Sequence, residues 1–295
     1  MPNSAPARNI LNHAWVYRIS LTVAQVLPLC VMRFITRIIA IAWHALDTST
    51  RQQVMGNLSR VIGNDPALLH KTSRELFINY GTYLADWAKF ITLDSSGVFS
   101  FFENIQGFDI FGEVCGKGKG VIILSAHLGN WELGGLVFTH SGVPFNIITA
   151  KDTVERIAQV RTRVRALHNI KTITIDEDPF FFIDIVNALK RNEVVAMLVD
   201  RYEKHNGVLV NFLGGTAYFP RGPVLLAKAT GASICPAFTV LGPRNKYLSA
   251  LGAPIPMEWG DDTEKDIYRN VSRIASVFEG YIRLYPNQWF NFSAL

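Results

Sequence analysis

The sequence predicts an α/β domain, with a central, mostly parallel or mixed sheet flanked by helices on both faces and an apolar N-terminal helical segment in front of it. Three observations predict this. Short apolar runs rich in β-branched residues recur at 121–124, 145–150, 172–175, 194–199 and 232–240, each with the length and composition of a buried strand. Stretches of helical periodicity separate these runs, and such alternation produces a sheet covered on both sides. Residues 10–46 are strongly apolar and carry Arg18, Arg33 and Arg37 but no acidic residue. The 295 residues divide accordingly into an N-terminal membrane-associated helical segment, 1–46, and an α/β domain, 47–295.

Residues 1–9 are small and polar, the composition of a loose terminus. The apolar core between Arg18 and Arg33 is fourteen residues long and contains Gln25 and Pro28, short of the ~20 residues a spanning helix needs. Two readings stand for it. An interfacial helix would place its arginines among lipid headgroups and its apolar side among acyl chains; a core helix would bury that side in protein. Thr48 or Ser49 is expected to cap a helix running through Val54, Leu58 and Val61 to the Gly63-Asn64-Asp65-Pro66 break. A longer helix follows from Pro66 to about Ile91, with Leu69, Leu76, Phe77, Tyr80, Leu84 and Trp87 at helical spacing. After a break at 94–97, residues 99–105 read as a strand and 107–114 as a short helix.

The densest stretch comes next, KGKGVIILSAHLGNWELGG at 117–135. A core strand at 121–124 delivers His127 just past its end, where α/β sheets tend to carry functional side chains. Gly129 permits an unusual backbone angle, and Asn130 is placed to cap a helix beginning near Trp131. The tight turn is expected to return Glu132 to the imidazole, where a carboxylate on one ring nitrogen leaves the other free as a base. A purely structural His–Glu hydrogen bond is the competing reading of the same spacing.

Farther along, a strand at 145–150 ends at Lys151, and the helix at 153–167 carries Arg156, Arg161, Arg163 and Arg165. Such a run is either a solvated face or, at the active edge of the sheet, a set of phosphate ligands; Lys151 and Arg161 are the candidates for that role. The helix at 180–189 leads to the strand at 194–199, which delivers Asp200 and Arg201. Asp200 reads by itself as a turn or capping residue, and both are candidate substrate-binding groups. Glycines at 207, 214 and 215 make the following region loop-rich, with 208–213 as a hairpin arm. Gly222 and Pro223, candidate substrate-binding residues together with Asn130, open a helix that Gly231 closes, and 264–284 form a last amphipathic helix before the aromatic tail Trp289-Phe290-Asn291-Phe292.

Composition narrows the chemistry. Three scattered cysteines without CxxC spacing argue against a disulfide framework or a zinc site and fit a reducing compartment. Seven dispersed histidines form no metal-binding motif. The net charge of +5 points to anionic partners. The abundance of Phe and the absence of any nucleic-acid-binding motif favour a membrane surface over DNA or RNA.

HLGNWE at 127–132, Asp200-Arg201 followed by Gly207-Val208 and the FLGG at 212–215, and the PRGP at 220–223 before a helix ending in Thr230-Gly231-Ala232 together resemble the bacterial lipid A biosynthesis acyltransferases. These are late acyltransferases within the broader glycerolipid acyltransferase superfamily. The resemblance spans roughly residues 50 to 292 and includes Asn57-Leu58 and the PNQW at 286–289. It implies acyl transfer from a thioester, acyl carrier protein or coenzyme A, to a glycolipid hydroxyl at the cytoplasmic face of a bacterial inner membrane, with no cofactor and no nucleic-acid partner. It also implies His127 as general base with Glu132 as its orienter. Ser125 is then structural, and transfer is direct. Late lipid A acyltransferases often carry arginine where this chain has Lys151, and this departure admits a related acceptor such as a phosphatidylinositol mannoside beside a lipid A precursor. A lipid ester or thioester hydrolase and a non-catalytic lipid-binding protein are the readings from other classes.

Overall fold

The runs read as strands assemble into one seven-stranded sheet. In chain order its strands are β1 (Phe102–Gln106), β2 (Val121–Ser125), β3 (Phe145–Ala150), β4 (Ile170–Ile175), β5 (Val194–Leu198), β8 (Ser233–Leu241) and β9 (Tyr247–Leu251). Their order across the sheet is β1-β9-β8-β2-β5-β3-β4. The β8–β9 pair is antiparallel and every other neighbouring pair is parallel. A separate antiparallel hairpin joins β6 (Gly207–Phe212) to β7 (Gly215–Pro220). The computed structural model describes residues 26–90, 93, 95–150, 155–175, 180–201 and 207–295.

Helices cover both faces. In chain order they are α1 (Leu29–Leu46), α2 (Thr48–Ile62), α3 (Pro66–Phe90), α4 (Ser95–Phe99), α5 (Phe108–Gly116), α6 (Trp131–Val137), α7 (Glu155–Leu167), α8 (Phe181–Lys190), α9 (Gly222–Thr230) and α10 (Thr263–Leu284). Successive side chains of β2 alternate between two cores, as the strand period of two requires. Val121 and Ile123 pack with Phe111, Val114, Leu133 and Leu136, whereas Ile122 and Leu124 pack with Ile185, Leu189, Val224, Ile274 and Phe278. A third cluster, built on Val54, Leu58, Leu76 and Phe77, ties α1, α2 and α3 to Phe290 of the tail.

Four details differ from the sequence reading. The cap of α2 is Asp47, whose carboxylate accepts from the Thr50 amide at 3.0 Å, rather than Thr48 or Ser49. The segment expected to be a strand from 99 starts instead at Phe102, because Ser95–Phe99 closes a helical turn. Strand β9 carries no β-branched residue and gave no signal of its own; its place is set by hairpin pairing with β8. Arg33 does not point outward from α1. Its Nε and Nη2 donate to the two oxygens of Asp86 on α3, each at 2.7 Å, and Tyr247 Oη donates to the same carboxylate at 2.7 Å. An uncompensated carboxylate in that buried place would be costly, and the arginine offsets the cost.

Helix α1 is long and apolar enough to cross a membrane, alone in this among the helices of the described residues. It buries only Met32, Ala40 and His44, while Val31, Phe34, Ile35, Ile38 and Ile39 face outward, as does Arg37.

Candidate active site

The site forms where β2 and β5 end side by side. The two strands are parallel and in register, with Ser125 opposite Leu198. Continuing two residues past each brings His127 opposite Asp200, and the Val199 amide still donates to the Ser125 carbonyl at 3.1 Å. After β2 the chain leaves toward β3 on one side of the pair; after β5 it leaves toward β8 on the other. Side chains placed at such a reversal of strand order open onto a crevice at the carboxyl edge of the sheet.

Asp200 is fully buried, and both its oxygens are occupied. Oδ1 accepts from the ring Nδ1 of His127 at 2.8 Å and from the His127 backbone amide at 3.0 Å. Oδ2 accepts from the indole Nε1 of Trp289 at 2.9 Å. Burial alone would push the Asp200 pKa up. The neighbouring His127, its hydrogen bond, the charge of Arg201 and the Trp289 donor outweigh that and hold it at about 2. The carboxylate therefore stays ionised and fixes the tautomer with hydrogen on Nδ1. Nε2 then carries the lone pair, and it has no protein partner among the described residues. The His127 side chain is 22% exposed, whereas that of Asp200 is 0% exposed, so the reactive nitrogen faces the crevice and its support faces the core.

The turn after His127 is shaped by its backbone. Gly129 has φ +65°, and a Cβ there would come within 2.0 Å of the Thr239 carbonyl oxygen, so no other residue fits the approach to β8. The Asn130 amide donates to that same oxygen at 2.7 Å. Its side-chain oxygen accepts from the Leu133 amide at 3.0 Å, capping α6 as the sequence indicated. Trp131 sets its ring edge-on to the His127 ring at 5.0 Å and stacks on Tyr83 at 4.7 Å, giving the crevice an aromatic wall.

Glu132 does not hold the imidazole. Once Asn130 has started the helix, the first turn of α6 carries Glu132 toward α7, where Arg165 grips it. Nη2 lies 2.7 Å from Oε1 and Nε 3.3 Å from Oε2, in a pair that is buried on both sides. The carboxylate that meets the His127 ring is instead Asp200, which the sequence offered only as a turn or substrate-binding residue. Glu132 and Arg165 line a small cleft together with Arg161, Trp87, Phe90, Leu136 and Ile170.

The other candidates fall into three groups. Arg201 is next to Asp200 and donates Nη2 to the Phe290 carbonyl. Gly222 and Pro223 open α9, with Pro223 buried and Arg221 paired to Glu264 of α10, and Gly231 closes the helix with φ +76°. Lys151 lies outside the described residues. The residue whose place at the site sequence reasoning missed is Trp289, read there only as part of an aromatic tail and of the family-like PNQW at 286–289. Among the described residues, no group of three or more histidine, cysteine or acidic side chains is placed to hold a metal ion.

The family profile described as bacterial lipid A biosynthesis acyltransferase matches residues 1–295. Relatives include a phosphatidylinositol mannoside acyltransferase of Mycolicibacterium smegmatis, 24% identical over 260 residues, covering 84% of this chain and 80% of the relative. Another is a phosphatidylinositol mannoside acyltransferase of Mycobacterium tuberculosis, 24% identical over 303 residues, covering 98% of this chain and 89% of the relative.

Proposed function

Since the chain belongs to the bacterial lipid A biosynthesis acyltransferase family and is an acyltransferase, we propose that it moves a fatty acyl chain from a thioester to a hydroxyl of a glycolipid, with His127 as general base and Asp200 as the carboxylate that orients it. One observation carries the mechanism: the 2.8 Å contact from His127 Nδ1 to a buried, ionised Asp200, with Nε2 left open to the crevice.

An alcohol is a poor nucleophile at neutral pH unless its proton leaves as it attacks. In this reading Nε2 takes the hydroxyl proton while the oxygen bonds to the thioester carbonyl carbon. The imidazolium that forms is stabilised by Asp200, a contribution of roughly 10²–10⁴-fold for general-base help. The tetrahedral adduct then collapses, the C–S bond breaks, and the proton on Nε2 passes to the departing thiolate. The products are an ester and a free thiol, and the base returns to its starting state. No side-chain nucleophile enters, so no acyl-enzyme forms.

The acceptor is a glycolipid of the phosphatidylinositol mannoside kind, a reading supported by the names of the relatives. A lipid A precursor is the second reading, supported by the family description. The donor is acyl-coenzyme A or acyl carrier protein. Work at a membrane surface is supported by the outward apolar side chains of α1, and the cytoplasmic face of a bacterial inner membrane is the reading that goes with the family resemblance. Lipid mass spectrometry of a host lacking the protein tests the whole proposal. One glycolipid lighter by a single acyl group is the expected result, and it identifies the acceptor. An unchanged glycolipid and phospholipid profile contradicts it, and an acyl-enzyme trapped by rapid quench contradicts the direct mechanism.

A further inference from the structure

The tail after α10 reaches back across the molecule to the catalytic turn. Residues Pro286–Gln288 form a single 3₁₀ turn, after which the chain lies antiparallel to the segment carrying His127. The contacts bracket Leu128, the residue that follows the base. The Phe290 amide donates to the His127 carbonyl at 2.7 Å, and the Gly129 amide donates to the Gln288 carbonyl at 2.9 Å. Leu128 and Trp289 form the bridge between them. The tail is itself fastened at both ends. Gln288 exchanges two hydrogen bonds with the backbone of Leu241, at 2.7 and 2.9 Å. Asn57 of α2 donates to the carbonyls of Asn291 and Ser293 and accepts from the Leu295 amide. The Asn57 and PNQW segments, far apart in sequence and silent in the mechanism so far, thus belong to one device.

At the centre of that device is Trp289. Its ring is buried, packs edge-on against Phe212 at 6.2 Å, and directs its only polar atom at Asp200 Oδ2. A buried tryptophan needs a partner for its N–H, and a buried carboxylate needs donors for both oxygens. Here each is the other's answer. With Oδ2 held from below, Oδ1 has one direction left, toward the Nδ1–H and backbone N–H of His127.

We infer that Trp289 is a positioning residue for the acyl transfer, its indole N–H fixing the rotamer of the Asp200 carboxylate and through it the ring of His127. The inference rests on the Asp200–His127 reading above. Loss of the donor leaves a buried carboxylate oxygen unsatisfied, frees the side chain to turn, and concentrates negative charge on the oxygen facing the ring. The base is then both less well aligned and more readily protonated.

The experiment compares the full-length enzyme with Trp289→Phe, which keeps an aromatic ring and deletes the donor, and with Trp289 replaced by benzothienylalanine, which keeps the bicyclic shape and deletes only the N–H. The assay is thiol release from palmitoyl-coenzyme A in micelles containing phosphatidylinositol mannoside, with Asp200→Asn run alongside. The expected result is a fall in kcat on the order of ten- to a hundredfold at unchanged KM for the donor, with the acid limb of the pH–rate profile moved to higher pH. In the Asp200→Asn background the donor deletion should add little, because two groups acting through one contact are not additive. Native kcat and pH profile in the benzothienylalanine protein, beside a crippled Asp200→Asn, overturn the role of Trp289 alone. Native turnover in Asp200→Asn overturns the dyad, and the role of Trp289 with it.

Discussion

Asp200 and Glu132 are two buried carboxylates at the same edge of the sheet, and they do different work. Glu132 stands five residues from His127 in sequence, yet its oxygens meet Arg165, a permanent cation. Asp200 stands seventy-three residues away, yet it accepts from the ring, the main chain and an indole. The difference teaches that proximity in a motif does not assign a proton partner. A guanidinium forked onto a carboxylate neutralises it and fixes two elements together, here α6 and α7. A carboxylate held by neutral N–H donors keeps its charge free to act on an imidazole beside it.

The largest effect expected from breaking this contrast is at the base. His127→Ala should lower acyl transfer by about 10²–10⁴-fold, with some loss of thermal stability because it takes a donor from the buried Asp200 carboxylate; native turnover in the folded variant would remove His127 from the role of base. Next comes the ion pair. Glu132→Gln leaves Arg165 charged, buried and unpaired, which should cost about 3–5 kcal/mol of stability. The surviving folded enzyme should keep the native pH–rate profile. A displaced profile with native stability would return the orienting role to Glu132. A comparable loss of stability is expected for Asp86→Asn, measured by urea unfolding, because it strands Arg33 and the hydroxyl of Tyr247; it should also loosen α1 from α3, seen as faster proteolysis near residue 33.

The smallest effect is in the pH dependence of stability. His44 is buried against Ser73, with Nε2 3.2 Å from the hydroxyl. Burial, then His70, Arg51 and Arg74, lower its pKa from 6.5 to about 4. A histidine lowered in the fold binds its proton more readily when unfolded, so this contribution is complete above about pH 6.5 and is lost as pH falls toward 4. Asp200, held at about 2 against an ordinary 3.8, contributes above the ordinary value and fades only as pH falls from there toward 2. Unfolding in urea across pH should therefore show two acid windows, and His44→Phe should flatten the upper one. An upper window unchanged in that variant would assign it elsewhere.

The parts of the molecule legible in sequence are those whose signals are local. The strand at 121–124, the glycine turn at Gly129 and the Asn130 cap declare themselves within ten residues, since each depends on a backbone preference or a neighbouring amide. Helix α9 is legible for the same reason, with Pro223 at its start and Gly231 at its end. What could not be read is set by strand order. Two strands and three α-helices separate β2 from β5 in the chain, and only the closed sheet brings Ser125 opposite Leu198. The partner of His127 follows from that register. Trp289 depends on the tail folding back under both strands, and Arg33 on the approach of α1 to α3. Each is a pairing of distant residues that composition and periodicity do not encode.

The central claim is that Asp200, not Glu132, orients the general base. Its most direct test is the ratio of kcat for Asp200→Asn to kcat for Glu132→Gln, measured at saturating donor and at a temperature where both proteins are folded. The account predicts a ratio of about 0.01 or less, since the amide removes the charge that supports the imidazolium and presents the wrong partner to Nδ1. A ratio of one or more would contradict it.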